Sequence, residues 1–316
     1  MGMPKCIVQF RNKKILKAIV LLLSIFFQAC ALSPVERSNR LADELGFEEQ
    51  VLFSSKYRHR VYLENFNHTK KILHVYLEGD GMPWSSHRVI ASDPTSRTPV
   101  MLPLMGMDKT PAIYLGRPCY SGFSNDPGCD PLLWTFSRYS QKVVDSMVEV
   151  IQQIIARYHF ASVRLFGHSG GGTLAVLIAK NLPETQTVVT LAANLDVDAW
   201  TQYHRYTRLY DSLNPAKGEP LNPTIRQIHL QAGKDDIVPP QLAKNWFKQQ
   251  RNSSVCLYRG FDHRCCWGEI WPKVLAWISG DNTVEAALNG EMSHHLSCIH
   301  RVAIRATPAM AIVVKP

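Results

Sequence analysis

The chain has 316 residues, 46% hydrophobic and 19% charged, enough apolar material for one large domain with its own core, which excludes an intrinsically disordered chain. Its net charge of +9 is concentrated at the amino end, where Lys5, Arg11, Lys13, Lys14 and Lys17 precede Cys30 with no acid among them. The remainder sets 30 basic against 26 acidic residues with no basic run, which excludes a nucleic-acid-binding surface.

The basic segment leads into an apolar run from Ala18 to Phe27, with Ser24 its one polar residue. This is the layout of a secretory signal peptide over residues 1–30, too short for a comfortable membrane span. Cys30, after Ala29 at the end of the run, resembles the lipobox of bacterial lipoproteins. That resemblance implies removal of the signal and a lipid-modified Cys30, with the protein anchored to a bacterial membrane. Ala31 carries no inner-membrane retention signal, so the resemblance points to the outer membrane, facing the periplasm. Cleavage after Ala31 and an uncleaved anchor are the alternatives. Met1-Gly2 is not a myristoylation signal, because Cys6 stands where Ser or Thr is needed. Residues 31–50 are polar and charged and read as a tether.

Export makes the remaining cysteines candidates for disulfides. Cys119, Cys129, Cys256, Cys265, Cys266 and Cys298 contain no C-x-x-C pair, so zinc-ribbon and thioredoxin readings fail. His263 with Cys265 and Cys266, and His294, His295, Cys298 and His300, read as disulfide or solvated loop rather than metal sites. No metal or organic cofactor is expected.

Alternation around Val61 and Leu63 within Val51–Phe66 fits early antiparallel strands. Ile72–Leu77 is a strong strand that empties into Glu78-Gly79-Asp80-Gly81. Asp93–Pro99 is a loop, Val100–Met107 a short helix, and Ala112–Leu115 a further strand ending at Gly116-Arg117-Pro118-Cys119. Residues 120–132 are rich in turn formers, so Cys119 and Cys129 can approach without strain and are expected to pair. One bond is expected among Cys256, Cys265 and Cys266, from Cys256 rather than within the adjacent pair. Ser137–Tyr158 is an amphipathic helix with Val144, Met147, Val148, Ile151, Ile154 and Ile155 on one face.

The buried strand Val163–Phe166 then turns through Gly167-His168-Ser169-Gly170-Gly171 into an apolar helix. Strand, Gly-x-Ser-x-Gly and helix form a nucleophile elbow, with the serine on a strained turn where neighbouring side chains would collide. The Gly170 amide and the helix dipole are expected to face charge developing on a substrate carbonyl. A strand follows at Thr187–Ala193, then an aromatic insertion over residues 194–223, read either as a small cap lining an apolar site or as a loop fixed to the core. Ile228–Ala232 is a strand leading to Gly233-Lys234-Asp235-Asp236-Ile237-Val238-Pro239. Gln241–Gln250 is a helix and Ser254–Tyr258 a strand, followed by Gly260-Phe261-Asp262-His263. Trp267–Ser279 is a closing helix; over the tail, residues 281–316, the pattern decays, and Val302–Val314, apolar with no clear period, reads as either a peripheral strand or a loose tail.

From Ile72 to Ile278 the chain resembles the α/β-hydrolase superfamily: the elbow, a Gly-Asp loop closed by Val-Pro and a histidine loop occur in that family's order. The resemblance implies an α/β-hydrolase fold over residues 51–280, a mostly parallel central sheet flanked by helices. It implies Ser169 as nucleophile, His263 as base and an aspartate as its partner. Val238-Pro239 selects Asp235; counting from Gly233 selects Asp236, and the Val-Pro ruler is preferred because those residues fix where the loop ends. Glu78-Gly79-Asp80-Gly81 occupies the place of the superfamily's oxyanion loop, which implies the Asp80 amide as second donor beside Gly170. His168 and Asp262 are read as shaping residues. The expected function is serine hydrolysis of small-molecule or lipid-like carboxylic esters. An amidase or peptidase with the same triad, or a non-catalytic binding lipoprotein, is the alternative.

Overall fold

The computed structural model describes residues 32–66, 70–86, 88–280 and 296–301. The signal-like segment with Cys30, and residues 281–295 (His294 and His295 among them) and 302–316 of the carboxyl-terminal tail, lie outside the described residues. Among the described residues, no helix is long and apolar enough to cross a membrane.

Nine strands form one sheet in the order β1 (Glu48–Phe53), β2 (Arg58–Glu64), β6 (Ala112–Leu115), β3 (Ile72–Leu77), β7 (Ser162–His168), β8 (Thr185–Leu191), β9 (Arg226–Ala232), β10 (Ser253–Tyr258) and β11 (Leu296–Arg301). The six strands from β6 to β10 run parallel. The outer pairings β1–β2, β2–β6 and β10–β11 are antiparallel. Trp84–Ser86 (β4) and Val89–Ile90 (β5) form a separate small hairpin beyond the end of β3.

The inner strands are apolar runs because helices cover both of their faces. Alternate residues serve opposite cores: Leu73, Val75, Leu77, Leu165 and Val188 on one side, Tyr76, Phe166 and Val189 on the other. The first core is closed by α3 (Gln141–Tyr158) and α4 (Gly170–Ala179). The second is closed by α2 (Met101–Met105) and α7 (Trp267–Ile278). Val144, Met147, Ile151 and Ile154 of α3 are buried, and the helix starts at Gln141, a turn later than its apolar pattern suggests, after Pro131–Trp134 has made a separate 3-10 turn. All ten residues of α4 are buried, which explains why it lacks a polar face.

Two expectations are corrected. The tether over residues 31–50 is largely structured: Pro34–Glu44 is a helix (α1), and β1 begins at Glu48. Ala42 and Phe47 are buried in the second core with Leu41 packed against it, and Tyr62 donates to Asn39 at 2.6 Å. Within the carboxyl-terminal tail, β11 adds a strand to the sheet beside β10. In that register Cys298 faces Cys256, and these two are bonded. Cys256 is thereby satisfied across the strand pair, and the adjacent Cys265 and Cys266, expected to stay apart, are bonded to each other. Cys119 and Cys129 are bonded with their Cα atoms 5.5 Å apart.

Candidate active site

Segments following five parallel strands converge on a cavity of about 660 Å³. They are Glu78–Gly81 after β3, Ser169 after β7, Asn194 after β8, Ile237 and Val238 after β9, and His263 and Arg264 after β10. Successive connections leave β3 on opposite sides, to β6 and then to β7, and such a switch point opens a crevice at the carboxyl ends of the strands.

Ser169 stands in this crevice with φ 52° and ψ −122°. A non-glycine residue with that backbone is strained by about 1–3 kcal/mol and persists only where its surroundings enforce it. The Ser169 amide donates to the Leu191 carbonyl at 2.9 Å, and the Ser169 carbonyl accepts from Gly172 at 3.0 Å. Close approach requires the two flanking glycines. A Cβ on Gly167 would meet the Gly171 carbonyl, and one on Gly171 would meet the carbonyls of Leu77 and Glu78.

His263 is 7% exposed and its Nδ1 donates to Asp235 Oδ2 at 2.8 Å. The other carboxylate oxygen of Asp235 accepts the amides of Ile237 at 2.9 Å and Val238 at 2.8 Å. Asp235 is therefore buried with both oxygens engaged, whereas Asp236 is exposed. This bonding leaves Nε2 as the basic nitrogen of a neutral His263 ring. The ring's own backbone is held as well: its carbonyl accepts from His168 Nε2 at 2.7 Å and from Trp267 Nε1 at 3.2 Å. Burial first, and then the neighbouring His263, push His168 down to about 3. His168 thus stays neutral and keeps the Nε2 proton that this bond needs. Asp262 closes the same turn by accepting the amides of Arg264 at 2.9 Å and Cys265 at 2.7 Å.

Gly170 and Asp80 lie side by side, since a Cβ on Gly170 would strike the Asp80 carboxylate and the Tyr139 hydroxyl. The loop after β3 is clamped from below. Asp80 pairs with Arg117 and Arg138, each at 2.9 Å, and accepts the Tyr139 hydroxyl at 2.6 Å. Tyr120 donates to the Asp80 carbonyl at 3.1 Å. Glu78 accepts the amides of Gly79 at 3.0 Å and of Val100 and Met101 at 2.9 Å, fastening the loop to the start of α2. Burial raises the Glu78 carboxyl against those bonds. At Asp80 burial acts in the same upward direction, but Arg117, Arg138 and Tyr139 outweigh it and hold the carboxyl at about 2.

Arg117, Arg138 and Tyr139 were not singled out from the sequence, because a cation far from the motif carries no local signal of its partner. Both arginines are buried, at 4% and 6% exposure. Asp80→Ala should therefore leave two buried, uncompensated cations and cost about 3–5 kcal/mol, read as a lower denaturant midpoint. Because the folded-state pKa lies below the ordinary 3.8, this contribution is complete above about pH 4 and is lost as pH falls through about 2. The acid arm of the stability curve should flatten in the Asp80→Ala variant.

The insertion over residues 194–223 contributes one short helix, α5 (Val197–Tyr203), and a 3-10 turn at Pro215–Lys217. Trp200 Nε1 and His204 Nε2 both donate to the Ile237 carbonyl, at 2.7 and 2.8 Å. Trp200, Tyr206, Leu209 and Ile237 line the cavity on this side. The insertion is thus bonded to the loop after β9 and contributes apolar side chains to the cavity.

No family model matches the chain, and no curated protein matches it. Solved structures resemble it. The Pyrococcus furiosus esterase Pf2001, in two crystal forms, superposes with a TM-score of 0.52 at 9% and 10% identity. The match covers 76% and 79% of this chain and 94% and 93% of the esterase. An α/β hydrolase enzyme from the metagenome of lagoon sediments at Mar Chica, Morocco, is similar with a TM-score of 0.45 at 14% identity, over 75% of this chain and 99% of that one.

Proposed function

We propose that this chain, which has the α/β-hydrolase fold, is a serine hydrolase of carboxylic esters. The observation that carries the reading is the His263–Asp235 bond at the wall of the cavity in which Ser169 stands on its strained turn. Ser169 Oγ attacks the ester carbonyl carbon while His263 Nε2 takes the hydroxyl proton. The carbonyl oxygen becomes an oxyanion, stabilised by the amides of Gly170 and Asp80. The C–O bond to the leaving alcohol breaks as His263 returns the proton to it, leaving an acyl group on Ser169. Water, deprotonated by the same Nε2, releases the acid and restores the serine. Asp235 holds the imidazole in the required tautomer and stabilises the imidazolium.

The apolar wall of Trp200, Tyr206, Leu209 and Ile237 suits an acyl or aryl group, and an esterase is among the proteins of this fold. The basic-apolar amino-terminal segment ending at Cys30 supports an exported protein held to a membrane by lipid on that cysteine. The mass of the mature amino terminus tests that part.

The test of the activity is a panel of acyl p-nitrophenyl esters beside matched anilides, with fluorophosphonate labelling of the same preparation. Ester turnover with labelling at Ser169 supports the reading. Anilide turnover in excess of ester turnover moves it to an amidase. Neither turnover nor labelling makes the protein a binding lipoprotein.

A further inference from the structure

The cavity wall carries four carboxylate or guanidinium side chains: Glu78, Asp80, Arg138 and Arg264. Three are engaged. Glu78 is saturated by backbone amides, and Asp80 and Arg138 are bound to each other. Arg264 is different. It is exposed, it lines the cavity, and among the described residues it forms no ion pair.

Its mounting is rigid. The Asp262 carboxylate holds the amides on either side of the Arg264 carbonyl, and the bonded pair Cys265–Cys266 follows at once. Cys266 takes a left-handed φ of 77° as the chain enters α7. One residue earlier, the His263 carbonyl is pinned by His168 and Trp267. The guanidinium is close enough for its charge to be felt at the buried His168, where it adds to burial and to His263 in lowering that ring. A cation thus sits beside the proposed general base and lines a cavity that also carries the apolar side chains of Trp200, Tyr206, Leu209 and Ile237; its charge is felt as well at the neighbouring Asp262 carboxyl. A solvent-exposed charge next to a low-dielectric wall attracts an opposite charge more strongly than it would in open water.

We propose that Arg264 is a specificity residue that selects esters bearing an anionic group near the scissile carbonyl, with the apolar remainder of the substrate against the Trp200–Tyr206 wall. The inference rests on the serine-hydrolase reading above. The anion is a carboxylate or a phosphate, on either the acyl or the alcohol side; the guanidinium accepts both, and Arg suits such planar, multidentate recognition better than Lys.

Two matched substrate pairs test it. On the alcohol side, para-carboxyphenyl butanoate is compared with para-carbamoylphenyl butanoate. On the acyl side, mono-p-nitrophenyl glutarate is compared with p-nitrophenyl pentanoate. A phosphate-bearing analogue of whichever anionic ester is preferred separates carboxylate from phosphate. In Arg264→Gln, kcat/KM for the anionic member of at least one pair should fall about 3- to 10-fold, mainly through KM, with the neutral member unchanged. Arg264→Lys should restore part of the preference, and added salt should shrink it in the wild type. An anionic-to-neutral ratio that is the same in wild type and Arg264→Gln for both pairs overturns the inference while leaving the serine-hydrolase reading standing. Absence of any turnover together with absence of fluorophosphonate labelling overturns both.

Discussion

Ser169→Ala should fold as the wild type does and lose about 10⁶-fold in ester turnover. The variant removes one oxygen from a residue whose backbone bonds to Leu191, Gly172 and Asn194 all remain. A methyl side chain tolerates the strained turn about as well as a hydroxymethyl one, so the denaturation midpoint should move little. Without the hydroxyl no acyl-enzyme forms, and what survives is the modest catalysis that the oxyanion donors and binding provide through water attack. Fluorophosphonate uptake should vanish together with turnover. Labelling that persists in Ser169→Ala would place the nucleophile elsewhere, and turnover that persists would remove the covalent step from the mechanism.

The second large effect concerns the choice between two adjacent aspartates. Asp235→Asn should lower turnover on the order of 10⁴-fold with the fold intact. The amides of Ile237 and Val238 donate to Asp235 Oδ1, so an asparagine keeps its carbonyl oxygen there and turns its NH₂ toward His263. The amide then donates where the carboxylate accepted. His263 Nδ1 is forced to become an acceptor, its proton moves to Nε2, and the base that should receive the serine proton is already occupied. Asp236 is exposed, and Asp236→Asn should lose far less. A larger loss in Asp236→Asn than in Asp235→Asn would shift the acid by one residue. Equal, mild losses in the two variants would mean that neither is the partner on which catalysis depends.

That pair shows where local pattern stops being informative. Two spacing rules read from the sequence disagree by one residue, because each measures from a different fixed point on a flexible turn. In the folded chain the disagreement disappears for a reason of solvation. Only one of the two carboxylates can be buried beside His263, and it is the one whose second oxygen finds two backbone amides to replace water. A buried carboxylate without those donors would be costly. The vicinal Cys265–Cys266 bond has a similar origin. Its formation depends on where Cys256 finds a partner, and that partner arrives only when β11 pairs with β10.

Features that depend on neighbours along the chain were legible before folding. The apolar runs of β3, β7 and β8, the 3.6-residue stripe of α3 and the Gly-x-Ser-x-Gly turn between strand and helix are all short-range patterns. The chain order of Ser169, Asp235 and His263 is a longer pattern, and the α/β-hydrolase resemblance it carries with the elbow implies the doubly covered parallel sheet. Contacts between residues that meet across long loops became visible in the folded chain alone. Arg117 and Arg138 clasp Asp80 from beneath its loop, His168 holds the His263 backbone, and α1 folds onto the second core. Each of these contacts joins partners with no periodic relation, and a charge or a ring declares its partner only when burial removes the water that would otherwise have served it.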